Sequence, residues 1–192
     1  MLAGLAARMR ERGLNVVVTR EPGGTALGER LRTIFKTPDL AIDPLAEALI
    51  VNASRAQHMA ELISPALAAG QWIVCDRFAA ATLAYQGYGR GVPLKTLREL
   101  AEFATRGRFP DLTLLIDVPV EVSRRRVAAR ALQAAEAEDR LERESAGFHA
   151  RVRDGYLELA REDPTIVTLD GILEPEALRE VAWRAVVARF AL

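Results

Sequence analysis

The 192-residue sequence predicts an α/β fold in which a parallel sheet is flanked by helices, and three observations carry that reading. Short apolar, β-branched runs recur along the chain. Longer amphipathic stretches separate them, so successive strands are joined by helical crossovers and lie parallel, with helices on both faces. The runs end in polar residues (Arg20-Glu21, Asp76-Arg77 and Asp117), at the strand termini where such sheets bind ligands.

Leu2 to Arg12 has apolar residues at helical spacing and stops at Gly13, a residue suited to a left-handed cap. Asn15 to Thr19, with Val16-Val17-Val18 at its centre, reads as a buried strand. Helices follow over 25–35 and 44–69, the second disturbed at Pro65, which lacks an amide hydrogen. Gln71 to Asp76, Leu112 to Asp117 and Thr165 to Asp170 supply three further strands. The remaining periodic stretches predict helices over 93–106, 119–132, 144–162 and 174–190. Arg124 to Arg143, rich in Ala, Arg and Glu, resembles a mobile charged helical hairpin.

The length fits a single domain over 1–192 with a substantial core. Lys plus Arg and Asp plus Glu balance at 26 each, so no global field points to nucleic acid or an acidic membrane surface. Any anion site must come from local placement of arginine, which supplies most of the positive charge and whose planar fork suits phosphate. The one cysteine, Cys75, excludes an internal disulfide and fits a reducing compartment; following Trp72-Ile73-Val74, it reads as a small buried hydrophobe. No stretch approaches the roughly 20 apolar residues of a membrane span. Arginines and Glu11 soon follow the first apolar residues, arguing against a signal peptide, and the expected location is cytoplasmic.

Four clusters carry candidate chemistry. Thr19-Arg20-Glu21-Pro22-Gly23-Gly24-Thr25 joins a strand to a helix through residues that let backbone amides approach an anion. Asp76-Arg77-Phe78 follows a buried strand; its aspartate can organise Mg²⁺, largely through water, and its arginine can clamp a phosphate. Ala84 to Gly91 sets Tyr85, Gln86, Tyr88 and Arg90 among three glycines, a concentration of recognition side chains rare in a plain loop. Ser54-Arg55-Ala56-Gln57-His58 lies within a helix, where an inward Arg55 demands an acidic partner or a ligand. Each has a bland alternative taken alone: a tidy turn, a salt bridge, a surface loop or a solvated face.

Taken in order and with Arg108-Phe-Pro-Asp-Leu-Thr-Leu, Asp139-Arg140-Leu141-Glu142, Phe148 to Arg153 and Tyr156-Leu-Glu-Leu-Ala, these clusters resemble the bacterial thymidylate kinase family along essentially the whole chain. The resemblance implies a three-layer, P-loop NTPase-like fold of the nucleoside monophosphate kinase type and transfer of the γ-phosphate of ATP to dTMP. By that resemblance Arg20, Glu21, Pro22 and Gly23 border the acceptor phosphate, Arg77 holds it, and Asp76 stands near Mg²⁺. Arg55 donates to the thymine edge, Thr82 sits beside the base, Tyr85 lies under the deoxyribose, and Gln86 is a further dTMP-binding residue. Arg126, Arg130 and Arg140 fall in or beside a lid over about 127–145. There Arg130 and Arg140 neutralise the transferring phosphoryl group, and Arg126 also lies against adenine. A homodimer built on helix packing is implied as well.

The sequence departs from the family pattern at several places. Val51 stands where an aromatic platform for the base is usual, Ser54 where aspartate is frequent and Ala81 where serine is frequent; Phe35 is the candidate replacement aromatic. The family opens with a strand and a Gly-x-x-Gly-x-Gly-Lys-Ser/Thr loop, a motif that does not occur in these residues. About 15–20 residues would supply both, so the expectation is a misassigned start or a truncation, with an active native enzyme and little turnover from these residues alone. The rival readings are a kinase of other base specificity and a nucleotide-binding relative without catalysis.

Overall fold

The computed structural model describes residues 1–134 and 138–192. Helix α1 (Leu2–Glu11) leads through Gly13, at φ +80°, into strand β1 (Val16–Arg20). Helix α2 (Ala26–Lys36) starts where the Thr25 hydroxyl accepts a hydrogen bond from the Gly28 amide, at 3.0 Å. Helix α3 (Pro44–His58) is capped by Asp43, which accepts from the Leu45 amide, while Pro44 fills a position whose N–H has no helical partner. A π-helical turn, Met59–Ile63, then leads into α4 (Ser64–Ala68) and strand β2 (Trp72–Asp76). The expected 44–69 helix is therefore split. Pro65 removes a backbone donor and crowds the preceding turn, and the wider turn just before it absorbs the mismatch.

Short helix α5 (Ala79–Thr82) continues into a second π-helical segment, Leu83–Gly89. The glycine-rich Ala84–Gly91 motif is thus largely helical and inward-facing rather than a surface loop. Gly87 and Gly89 are there because larger residues do not fit: a Cβ on them would lie 2.5 Å from Leu94 and 2.6 Å from Phe148. The chain ends with α6 (Leu94–Thr105), β3 (Thr113–Asp117), α7 (Val120–Ala134), α8 (Ala146–Glu162), β4 (Ile166–Asp170) and α9 (Pro175–Phe190). Residues 135–137, within the expected lid, lie outside the described residues.

All strand pairing among the described residues is parallel. It forms two pairs rather than one continuous sheet, β1 with β2 and β3 with β4. The registers bring Arg20 level with Asp76 and Asp117 level with Asp170, so each pair ends in polar residues. Side chains, not a backbone ladder, join the pairs. Val16, Trp72 and Val74 of one pair and Leu112 and Leu114 in or beside the other pack with Leu5, Met9, Trp183 and Val186 of α1 and α9. On the opposite side Ala48, Leu83, Leu97, Leu159 and Ile166 draw together α3, the second π-helical segment, α6, α8 and β4. The divided sheet leaves strand residues exposed, with Val18 at 40% and Ile116 at 38%.

Helix α8 sits against the second π-helical segment because Gly155 has no side chain. A Cβ there would lie 2.4 Å from Tyr88 Cγ. Gly155→Ala should therefore destabilise the protein by about 1–3 kcal/mol through overpacking, lowering Tm by a few degrees. Thermal unfolding of the variant checks this, and an unchanged Tm would mean that the Tyr88 ring moves away freely.

Candidate active site

A cleft of about 340 Å³ opens beyond the carboxyl ends of β1 and β2, walled by α2, α3, α5, the second π-helical segment and the 138–142 turn. Its inner end is polar and buried. Arg55 is 2% exposed and uses three of its N–H groups on protein partners: Nε to Glu21 at 2.8 Å, one terminal nitrogen to Asn52 at 2.8 Å and the other to Thr82 at 3.0 Å. A guanidinium has five such donors, so two remain. The second oxygen of Glu21 lies 3.1 Å from His58 Nδ1. His58 Nε2 in turn lies 2.7 Å from the Thr19 hydroxyl. The Ser54 hydroxyl accepts from the Gly23 amide at 3.1 Å, which gives this serine a structural task in the Pro-Gly-Gly turn. Gly24, at φ +77°, brings that turn so near α3 that a Cβ would meet His58 Nε2 at 2.6 Å.

The outer end carries Asp76 and Arg77. Among the described residues Arg77 is one of three non-glycine residues with positive φ, +67°, a conformation that costs about 1–3 kcal/mol and is held only where its surroundings impose it. Its guanidinium carbon stands 5.0 Å from the centre of the Tyr85 ring. Burial pushes the Tyr156 hydroxyl up, against the opposing pull of the Arg77 charge. The neighbouring Cys75, read as a buried hydrophobe, is half-buried, and its thiol is pushed up by burial and then by Glu21 and Asp76. Phe35, Val51 and Phe78 form apolar wall between the two ends, and Phe35 lines the cleft as the candidate replacement aromatic. Among the described residues no group of three or more His, Cys, Asp or Glu side chains is arranged to hold a metal. Asp76 alone fits Mg²⁺, an ion that keeps most of its waters and takes one or two carboxylates plus substrate phosphates.

Of the residues expected at the site, Glu21, Pro22, Arg55, Asp76, Arg77, Thr82, Tyr85, Gln86 and Arg130 line the cleft together. Four stand elsewhere. Arg20 pairs with Glu29 at 2.9 Å on the surface, and Gly23 is buried in the turn below. Arg126 donates to the Gly171 carbonyl at 2.9 Å, tying α7 to the loop after β4. Arg140, expected over the phosphoryl group, turns down instead. It donates to the Phe35 carbonyl at 3.2 Å and to the buried Glu47 at 2.5 Å. The charged hairpin read as mobile is pinned at this turn, with Lys36 bonded to Asp139 at 3.0 Å, Arg143 to Asp39 at 3.3 Å and Arg130 paired with Glu142.

Sequence reasoning missed Arg32, Lys36, Asp139, Glu142 and His149, which also line the cleft. A signal for the first two exists: Glu29, Arg32, Phe35 and Lys36 recur at helical spacing on one face of α2. Arg32 reaches the Pro22 carbonyl at 3.0 Å, bridging α2 to the turn.

A parallel α/β framework with an aspartate and arginines at the carboxyl ends of its strands fits a phosphotransferase of the nucleoside monophosphate kinase class. The family model for thymidylate kinase matches residues 1–181. The thymidylate kinase of Carboxydothermus hydrogenoformans is 46% identical over 179 residues, covering 93% of this chain and 84% of that one. That of Trichlorobacter lovleyi is 42% identical over 194 residues, covering 100% and 92%. The crystal structure of thymidylate kinase from Ehrlichia chaffeensis superposes with a TM-score of 0.73 at 29% identity, over 96% of this chain and 89% of that one. The chain belongs to the thymidylate kinase family. No helix among the described residues is long and apolar enough to cross a membrane.

At the end of β3, Asp117 takes a two-pronged bond from Arg153, at 2.7 and 2.8 Å. The Arg153 hydrogen bonds hold its carboxyl below the usual carboxylate range. The depressed value means that the pair stabilises the fold above the unfolded carboxylate pKa of about 3.9 and stops doing so as pH falls through the lower folded value. The side chains are 37% and 22% exposed, so solvent screening keeps the effect to about 0.5–1 kcal/mol. Urea unfolding should show Arg153→Gln less stable than the parent by that amount at pH 7, with the gap closing as pH falls below the unfolded carboxylate pKa of about 3.9. A pH-independent gap would assign the loss to packing.

Proposed function

We propose that this cleft is the dTMP site of the enzyme and that ATP supplies the phosphoryl group, giving dTDP and ADP. The observation that carries the reading is the polarity of the cleft: a closed end with Arg55, Thr82 and Gln86, each 2% exposed, and an open end with Asp76 and Arg77. A nucleoside monophosphate has the same polarity, base at one end and phosphate at the other. Arg77 would hold the acceptor phosphate, its left-handed backbone aiming the guanidinium along the strand edge. Tyr85 would lie under the sugar. Arg55 and Gln86 would meet the base edge, with Phe35 and Val51 against its face.

Asp76, acting through water, would hold Mg²⁺, which when bound supplies charge neutralisation at the phosphates. The remaining work is alignment and charge stabilisation by the chain's own arginines. Arg130 would exchange its Glu142 partner for a phosphate, and Arg126 would face the adenine side. Arg140 would act by anchoring the lid rather than by touching phosphate. The enzyme would work in the cytoplasm, a reading supported by its lone cysteine.

Coupled assays of the natively expressed protein with dTMP, dUMP, CMP and AMP test the substrate. A preference for any but dTMP would overturn the reading. Arg77→Ala should lower kcat/KM for dTMP by about 10²-fold or more, the scale of one well-placed charge-stabilising donor. Unchanged efficiency would remove Arg77 from the site.

The chain would act as a homodimer through α2 and α3. Leu45 and Leu49 are 47% and 49% exposed one turn apart on α3, and Leu27 and Ile34 are 46% and 45% exposed on the adjoining α2. Such an adjoining apolar stripe on two packed helices fits a second copy of the same face. Leu49→Lys should shift the protein from dimer to monomer in sedimentation velocity, and a persistent dimer would exclude this face.

A further inference from the structure

Glu47, in the first turn of α3, is fully buried at 0% exposed and does not line the cleft. One of its oxygens lies 2.5 Å from an Arg140 terminal nitrogen and 3.1 Å from Arg90 Nε. Its other oxygen accepts from Gln86 Nε2 at 3.0 Å. Arg90 is itself bonded to Glu144 at 2.5 Å, so the carboxylate ties α3 to both the lid turn and the second π-helical segment.

The contact with Gln86 has a consequence for recognition. A carboxylate flanked by two guanidinium groups only accepts hydrogen bonds, whereas an amide has a donating NH₂ end and an accepting oxygen. The Gln86 side chain must therefore turn its NH₂ toward Glu47 and its Oε1 away from it. This orientation follows from the chemistry of the pair and not from telling nitrogen from oxygen by shape. Gln86 lines the cleft, and among the described residues no group donates to its Oε1. The cleft thus has an acceptor at residue 86 beside the donors of Arg55.

We propose that Glu47 is a positioning residue that sets the hydrogen-bonding polarity of the base site: by holding Gln86 in one orientation it selects a base edge with an N–H between carbonyls over one with a lone pair there. The proposal rests on the cleft being the pyrimidine nucleotide site. Thymine and uracil have a ring N3–H and match this pattern. Cytosine has a lone pair at N3, which would face the Gln86 oxygen and leave both acceptors unsatisfied.

Glu47→Gln tests it, because a carboxamide can also donate and so allows Gln86 to turn over. Titration calorimetry with dTMP, dUMP and dCMP should show the dTMP-over-dCMP preference falling by about tenfold or more, with the dTMP-to-dUMP ratio unchanged. Glu47→Asp, which remains acceptor-only, should weaken binding while keeping the preference. Equal weakening of all three nucleotides in Glu47→Gln, or loss of the preference in Glu47→Asp as well, would overturn the proposal. A second arm needs no nucleotide: the ¹⁵N side-chain amide of Gln86 should exchange slowly with solvent in the unmodified protein and quickly in Glu47→Gln. A fast-exchanging Gln86 amide in the unmodified protein overturns the orientation argument even if the variant fails to fold. Failure of the unmodified protein to bind any of the three would count against the dTMP reading, and the amide arm would then decide the role of Glu47.

Discussion

The site depends on a buried charge that cannot be left alone. Arg55 sits in α3 with almost no exposure, where an unpaired guanidinium would cost several kcal/mol. Its neutralisation by Glu21 forces the residue after β1 to lie against α3, which draws in the whole Pro-Gly-Gly turn. Gly23 then bonds to Ser54, Gly24 closes on His58, and Thr82 is held from the third side. Three elements distant in sequence are thereby set around one cation. Removing Glu21 would leave a buried charge, a greater loss than that of the pair itself. The two N–H groups left over by this network are available only because the other three fix the guanidinium plane.

Glu47 has the matching role about two turns earlier on the same helix. It gathers Arg140, Arg90 and Gln86, so α3 presents two buried acid–arginine nodes, one rooted in the turn after β1 and one in the lid turn. The proposed base site lies between them. Its hydrogen-bonding pattern is set from behind by carboxylates, as expected where rigid ligand contacts rely on a supporting layer. The same helix carries Leu45 and Leu49 outward.

The lid turn illustrates how strongly local charge can mislead. Arg124 to Arg143 has the composition of a solvated, mobile segment, yet its turn is docked by Lys36, Asp39 and Glu47. Arg140 and Arg130 are alike in sequence but not in place. The first is 9% exposed and committed to a buried acid, whereas the second is 61% exposed beside the cleft. Only the fold separates a structural arginine from one free to change partners.

By itself the sequence determined the family and the alternation of four strands with helices, most bounds falling within a residue or two, though not the split of the 44–69 helix or the helical turns over 79–89. Those follow from local signals: β-branched runs, a left-handed glycine stop at Gly13, a helix start at Thr25, and motifs whose order along the chain is distinctive. It also marked nine of the cleft-lining residues. Tertiary structure decided the rest. It made the Ala84–Gly91 motif helical, because packing against Phe148 and Leu94 outweighs the low helix preference of glycine. It left the strands as two pairs, since strand partnership is a long-range choice that no run of residues encodes. It also sent Arg140 inward to Glu47, 93 residues away in sequence. A buried charge goes to its counter-charge in space, and sequence spacing does not record that separation.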